Sequence, residues 1–156
     1  MYLNPIAQAE GTANLVEWAK LALEDLKAPV LRMTRIRHDD KLGVLLEEIV
    51  LSLGQFPGLT ENDAVPDIVE LARRFGLSIG RARERISFVQ ASRDVARRLG
   101  IAAGTSIAKL DRIIETTDGE PVEWRVAYAW KASWSIASAS ATNVSVARLR
   151  DGDRPA

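Results

Sequence analysis

Arg35 and Arg37, followed after a turn by Glu47, and a later set of Glu123, Arg125 and Tyr128, are the residues of this chain best suited to holding a small polar molecule. Arginine presents a planar fork of donors that matches a carboxylate or phosphate, and glutamate accepts from an amine or hydroxyl. Alternate residues of a strand share a face, so Arg35 and Arg37 can reach a single anion. Glu123 and Arg125 share a face in the same way. Tyr128 falls on the other face with Trp124, Val126 and Trp130, a set that reads as aromatic core packing. The competing reading of each Arg–Glu set is a cross-strand ion pair that satisfies itself, worth about 0.2–1 kcal/mol.

Composition removes several other chemistries. One histidine, His38, and no cysteine exclude the usual zinc sites, and no cofactor is expected. Gly76-Leu77-Ser78-Ile79-Gly80 fits the G-x-S-x-G pattern of hydrolases, but a nucleophile elbow needs a strand before it and a helix after it, and here the order is reversed. The 156 residues suit one domain, and 21 basic against 21 acidic residues give zero net charge, so long-range attraction to nucleic acid or anionic membrane is weak. Eight arginines between Arg73 and Arg98 face only Glu84 and Asp94, a local excess of 8 − 2 = +6. They come from two helices and a strand without useful aromatics, which favours a solvated face, or one docking an acidic neighbour, over a nucleic-acid footprint. No apolar run reaches the roughly 18 residues that span a bilayer. MYLNPIAQAEG lacks the charged and apolar regions of a signal peptide. The expectation is a cytoplasmic protein with no membrane partner.

The elements that position these residues follow from periodicity and punctuation. Thr12 to Lys27 places Leu15, Val16, Ala19, Leu23 and Leu26 at helical spacing, predicting a helix. Pro29 ends it and opens a strand from Val30 to His38, with a return strand from Val44 to Leu53. A second helix is predicted over Ala64 to Phe75, stopped by Gly76, then a strand from Ser78 to Ala91. Ser92 to Leu99 reads as a short helix with Ser92 as N-cap and Gly100 at its end. Thr105 to Glu115 and Pro121 to about Trp134 form a hairpin, and Ser138 to Arg150 a final strand. The sum is an α+β domain with an antiparallel sheet of about six strands and inserted helices. Its expected division is a helical segment or linker over 1–28, the domain proper over 29–150 and a frayed tail over 151–156.

The two hairpins resemble each other. Arg35 corresponds to Arg112, Val30 to Ile107, Met33 to Leu110 and, allowing one gap in the turn, Glu47 to Glu123. Duplicated hairpins of this kind pack as two halves of one sheet. The alternative is chance similarity between two amphipathic hairpins.

Ala96-x-x-Leu99-Gly100-x-x-x-Gly104, a strand closing on Arg112, then Asp118-Gly119-x-Pro121-Val122-Glu123 and Tyr128 together resemble the UTRA domain, the effector-binding module of GntR-type transcription regulators of the HutC subfamily. Arg35-x-Arg37 with Glu47, the Phe56-Pro57-Gly58-Leu59 loop and the Arg83-x-Arg85-Ile86 strand extend the likeness over about Pro29 to Trp134. The resemblance implies a chorismate lyase-like fold, a small-molecule effector pocket and a homodimer. It implies ligand contact for Arg35, Arg37, Glu47, Asp67, Glu123 and Tyr128; Arg125 stays outside that set. DNA contact would come only through a winged helix-turn-helix, and nothing before Pro29 reads as one. Family members that bind phosphosugars tend to have serines where this chain has Pro66-Asp67-Ile68. A carboxylate there repels a phosphate, pointing to a carboxylated or amino-acid-like effector. Two other classes fit the same residues: a chorismate lyase-like enzyme whose arginines hold substrate carboxylates, and a ligand-free dimerisation module.

Overall fold

Asn14 starts the first helix by accepting from the Glu17 amide, while the Glu17 carboxylate accepts from the Asn14 amide, a reciprocal capping box. The chain is seen here in a computed structural model that describes residues 5–131 and 145–148. In order it forms β1 (Ala7–Thr12), α1 (Leu15–Lys20), β2 (Pro29–Asp39), β3 (Gly43–Ser52), a 3-10 turn (Leu53–Gln55), α2 (Ile68–Arg74), β4 (Ile79–Gln90), α3 (Arg93–Leu99), β5 (Ser106–Thr116), β6 (Pro121–Trp130) and β7 (Ser145–Arg148). The strands make one sheet in the order β1-β2-β3-β6-β5-β4-β7, with every neighbouring pair antiparallel. The six expected strands are all present, and β1 joins them as a seventh.

The expected helix from Thr12 to Lys27 is corrected. Residues 7 to 12, expected within a helical segment or linker, form an edge strand hydrogen-bonded along β2, from Ala7 opposite Thr34 to Thr12 opposite Pro29. The sequence AQAEGT has little intrinsic strand preference; pairing with β2 imposes the conformation. The helix is confined to Leu15–Lys20 and stops before Ala22, whose φ of 48° is left-handed. Leu15 and Val16, two of the apolar residues whose spacing predicts the helix, are exposed. The second helix also starts late, at Ile68, because Pro66 disfavours helical backbone before it and Asp67 supplies the cap. The expected Ser138–Arg150 strand is described only at 145–148; the rest of it, and the 151–156 tail, lie outside the described residues.

Two units of strand, helix and hairpin, β1-α1-β2-β3 and β4-α3-β5-β6, meet along the β3–β6 pair at the middle of the sheet. This is the two-halved arrangement that the hairpin resemblance predicts. On one face α2 and the Phe56 loop cover Leu31, Met33, Ile49 and Leu51. On the other, α3 covers Leu46 and Ile107 with Tyr128 and Trp130, and Leu21, which follows α1, packs with Val30, Val50 and Trp124.

The β2–β3 turn depends on Gly43, which has φ 79° and lies so close to β6 that a Cβ would run into the Trp130 carbonyl and approach Lys131 Cα at 3.0 Å. Gly43→Ala combines left-handed strain with this collision. A loss of about 1–3 kcal/mol is expected, readable as a fall in the urea midpoint.

Candidate functional site

The α2 face carries a line of charge across the centre of the sheet. Arg35 and Glu47 are cross-strand partners in the β2–β3 hairpin, and Arg37 points to the same face one step further along. Glu47 is 1% exposed and accepts from Nε of Arg35 and, at 2.9 Å, from Nε of Arg37. From the neighbouring strand β6, Arg125 brings Nη1 within 3.6 Å of the same carboxylate. Arg125 also donates to Glu123, with Nε at 3.0 Å from Oε1 and Nη2 at 3.2 Å from Oε2. Beyond it, Arg112 of β5 donates through Nε and Nη2 to Glu84 of β4. Asp67 caps α2 by accepting from the Glu70 amide, and its charge helps hold Arg125 protonated.

The sequence therefore folds four of its expected site residues, Arg35, Arg37, Glu47 and Glu123, into one array, with Asp67 at its border. Tyr128 is not among them: it lies on the opposite face, packed in the α3 cluster with Trp130. Arg125 and Arg112 belong to the array although they stand outside the expected set. The correspondence with Arg35 points to Arg112. For Arg125 the signal was weaker, since its link to Glu47 exists only because β3 and β6 are neighbours. The second hairpin does not reproduce the Arg–Glu pair of the first. Arg112 stands opposite Arg125, and Glu123 opposite Ile114, beside an irregularity at Ile114/Glu115. Each charged group then finds its partner elsewhere, Arg112 on β4 and Glu123 on its own strand.

Burial pushes the Glu47 carboxyl up, but Arg125, Arg35 and Arg37 together outweigh it and hold it below the usual glutamate range. Burial lowers Arg35 somewhat, with Glu47 opposing, and the guanidinium stays charged throughout the range in which proteins fold. A carboxylate depressed in the native state binds fewer protons there than in the unfolded chain. Its contribution is complete above the ordinary glutamate value of about 4.3 and is lost as pH falls through the native value. Acid unfolding of the wild type is expected to be steeper between about pH 5 and 3 than that of Glu47→Gln, as measured by urea midpoints across pH.

Beside the array lies a cavity of about 50 Å3, lined by the charged Arg37, Glu47, Arg112 and Arg125 and by the apolar Leu42, Leu45 and Leu110. It has room for a carboxylate-sized group. The G-x-S-x-G match has no elbow geometry, for α2 precedes it and β4 begins at Ile79. Most of the arginines between Arg73 and Arg98 are internally matched: Arg73 and Arg74 to Glu70, Arg81 and Arg83 to Glu115, Arg97 and Arg98 to Asp94.

The domain is thus an antiparallel sheet with helices on both faces and a charged array on the face that α2 covers. The model of the UTRA domain family matches residues 9–130, and the chain belongs to that family. A helix-turn-helix-type transcriptional regulator of Mycobacterium tuberculosis is 43% identical over 51 residues, which are 33% of this chain and 19% of that protein. The effector domain of PhnF from Mycobacterium smegmatis is 28% identical, with a TM-score of 0.70 over 80% of this chain and 77% of that one. A GntR-family regulator from Enterococcus faecalis has the same fold at 24% identity, TM-score 0.71, covering 81% of this chain and 91% of that one. The chain is thus a UTRA-family domain, with the fold that the solved GntR-family regulator domain shares. No helix among the described residues is long and apolar enough to cross a membrane.

Proposed function

We propose that the domain senses a carboxylated, amino-acid-like metabolite at the Arg35–Arg37–Glu47–Arg125–Glu123 array, and that occupancy changes how an attached winged helix-turn-helix domain binds DNA. The observation that carries this reading is Glu47: a buried carboxylate shared by three arginines, one of them, Arg37, 40% exposed and lining the cavity. Arg37 is the member of the array freest to exchange Glu47 for a ligand carboxylate, while Glu123 and Asp67 offer acceptors for an amine. A whole metabolite exceeds the present cavity, so binding requires side chains at the mouth to move aside. Asp67 already occupies the α2 N-terminus and opposes a phosphate at that spot. On this reading the domain has no catalysis of its own, and it works in the cytoplasm as a homodimer whose subunits shift together. Tyr128, half-buried against the α3 cluster, acts on the ligand only through packing of the β6 strand.

A thermal-shift screen of amino acids, carboxylic acids and sugar phosphates tests the ligand class. Stabilisation by amine-bearing or carboxylated compounds is expected, reduced at least tenfold in apparent affinity by Arg37→Gln. Tight binding of a sugar phosphate with no amine-bearing ligand detected would overturn it. Release of pyruvate from chorismate would instead favour catalysis.

A further inference from the structure

The opposite face of the sheet carries a second and larger groove, of about 240 Å3, that the effector reading does not use. It is lined by Lys20 of α1, Arg83, Glu84 and Arg85 of β4, and Asp111 and Ile113 of β5. Arg83, Arg85, Asp111 and Ile113 alternate with Glu84 and Arg112, which point to the α2 face, so the two sites lie back to back.

The charges here are unevenly matched. Arg83 places Nη2 at 2.8 Å from Glu115, a carboxylate it shares with Arg81. Asp111 stands directly opposite Arg85 in register, yet its oxygens are taken by Lys20 Nζ at 3.3 Å and by the Trp124 indole N–H at 2.9 Å. Glu84 is engaged from the other side by Arg112. Arg85 consequently has no carboxylate partner among the described residues, and neither has Lys109, which lies on the same face two positions before Asp111. Across this face Lys20, Arg32, Arg81, Arg83, Arg85 and Lys109 are set against Glu17, Glu48, Asp111 and Glu115, an excess of 6 − 4 = +2. Lys20 and Arg83 are already paired with Asp111 and Glu115, which leaves the Arg85 fork as the lining cation available to chelate an anion.

We infer that this groove is a second anion site, one that takes a small molecule carrying two acidic charges, carboxylate or phosphate, with a compact apolar portion against Ile113. Arg85 is its principal donor, and Lys20 and Arg83 flank the anion. The site joins α1 of the first half of the sheet to β4 of the second, so occupancy tightens one half against the other. It is independent of the Glu47 array and of the ligand proposed there.

Isothermal titration with succinate and with inorganic phosphate, on the full chain at constant ionic strength balanced with chloride, tests it. At least one of the two anions is expected to bind the wild type with one-to-one stoichiometry, and Arg85→Gln to weaken that binding tenfold or more. In Arg37→Gln, where the Glu47 array holds carboxylates weakly, the Arg85-dependent part of the binding is expected to persist within twofold, which separates this groove from the array. Binding of succinate alone assigns a dicarboxylate; binding of phosphate alone assigns a phosphate. Absence of binding by both anions, retention of full affinity by Arg85→Gln, or loss in Arg37→Gln would each overturn the inference. Arg85 is exposed and outside every core cluster, so the glutamine variant is expected to fold normally; an unchanged urea midpoint verifies that.

Discussion

Replacing Glu47 by alanine is expected to destabilise the domain by about 3–5 kcal/mol, the cost of stranding buried charges when one partner of a buried ion pair is removed. Arg35 and Arg125 are each only 13% exposed and both lie against this carboxylate. Without it they face each other, and Arg37, with one counter-charge fewer. Glu123 still neutralises Arg125, but Arg35 has no other side-chain acceptor among the described residues. Glu47→Gln keeps the shape and one acceptor oxygen and should lose less. Arg37→Gln removes a partner that is 40% exposed and should change stability by no more than about 1 kcal/mol. This ordering, Ala worst, Gln intermediate, Arg37→Gln nearly neutral, is read from urea unfolding curves with a constant m-value. Near-neutrality of Glu47→Ala would mean that water reaches the array freely.

Phe56→Ala is expected to cost about 3–5 kcal/mol, the range for deleting a buried aromatic side chain. Phe56 is fully buried in the cluster that joins α2 to the sheet, and it meets Phe75 edge-to-face with centroids 5.4 Å apart. Phe75 caps the end of α2, so the pair anchors the C-terminal end of the helix whose N-terminal cap is Asp67. Loosening it should move Asp67 away from Arg125 as well as weaken the fold. Hydrogen exchange distinguishes the two effects: amides of α2 are expected to lose protection beyond the global loss seen in β3 and β6. Equal loss everywhere would mean that α2 is not separately dependent on this contact.

The hairpins could be read from sequence because each is local. Pro29, Gly43 and the Asp118-Gly119 turn bound runs of strand formers, and Ser92 and Gly100 bound α3 as expected, the latter with φ 71°. The Arg35–Arg37–Glu47 cluster was legible for the same reason, being the product of one hairpin's register. Misreadings arose where tertiary pairing overrides local preference. β1 is a strand only because β2 offers it partners, and the apolar residues of α1 face outward instead of marking a core stripe. Arg125 joins Glu47, and Arg112 joins Glu84, through strand neighbours that hydrophobic periodicity does not specify. Tyr128 was drawn toward the site by family resemblance, whereas simple alternation had already put it on the other face.

Native mass spectrometry of freshly purified protein, run side by side for wild type and Arg37→Gln, is the most direct test of the effector site. The account predicts a co-purified small molecule bearing a carboxylate on the wild type, absent from or much reduced in Arg37→Gln, with both proteins melting at similar temperatures. A ligand that stays fully bound when Arg37 is replaced would contradict it.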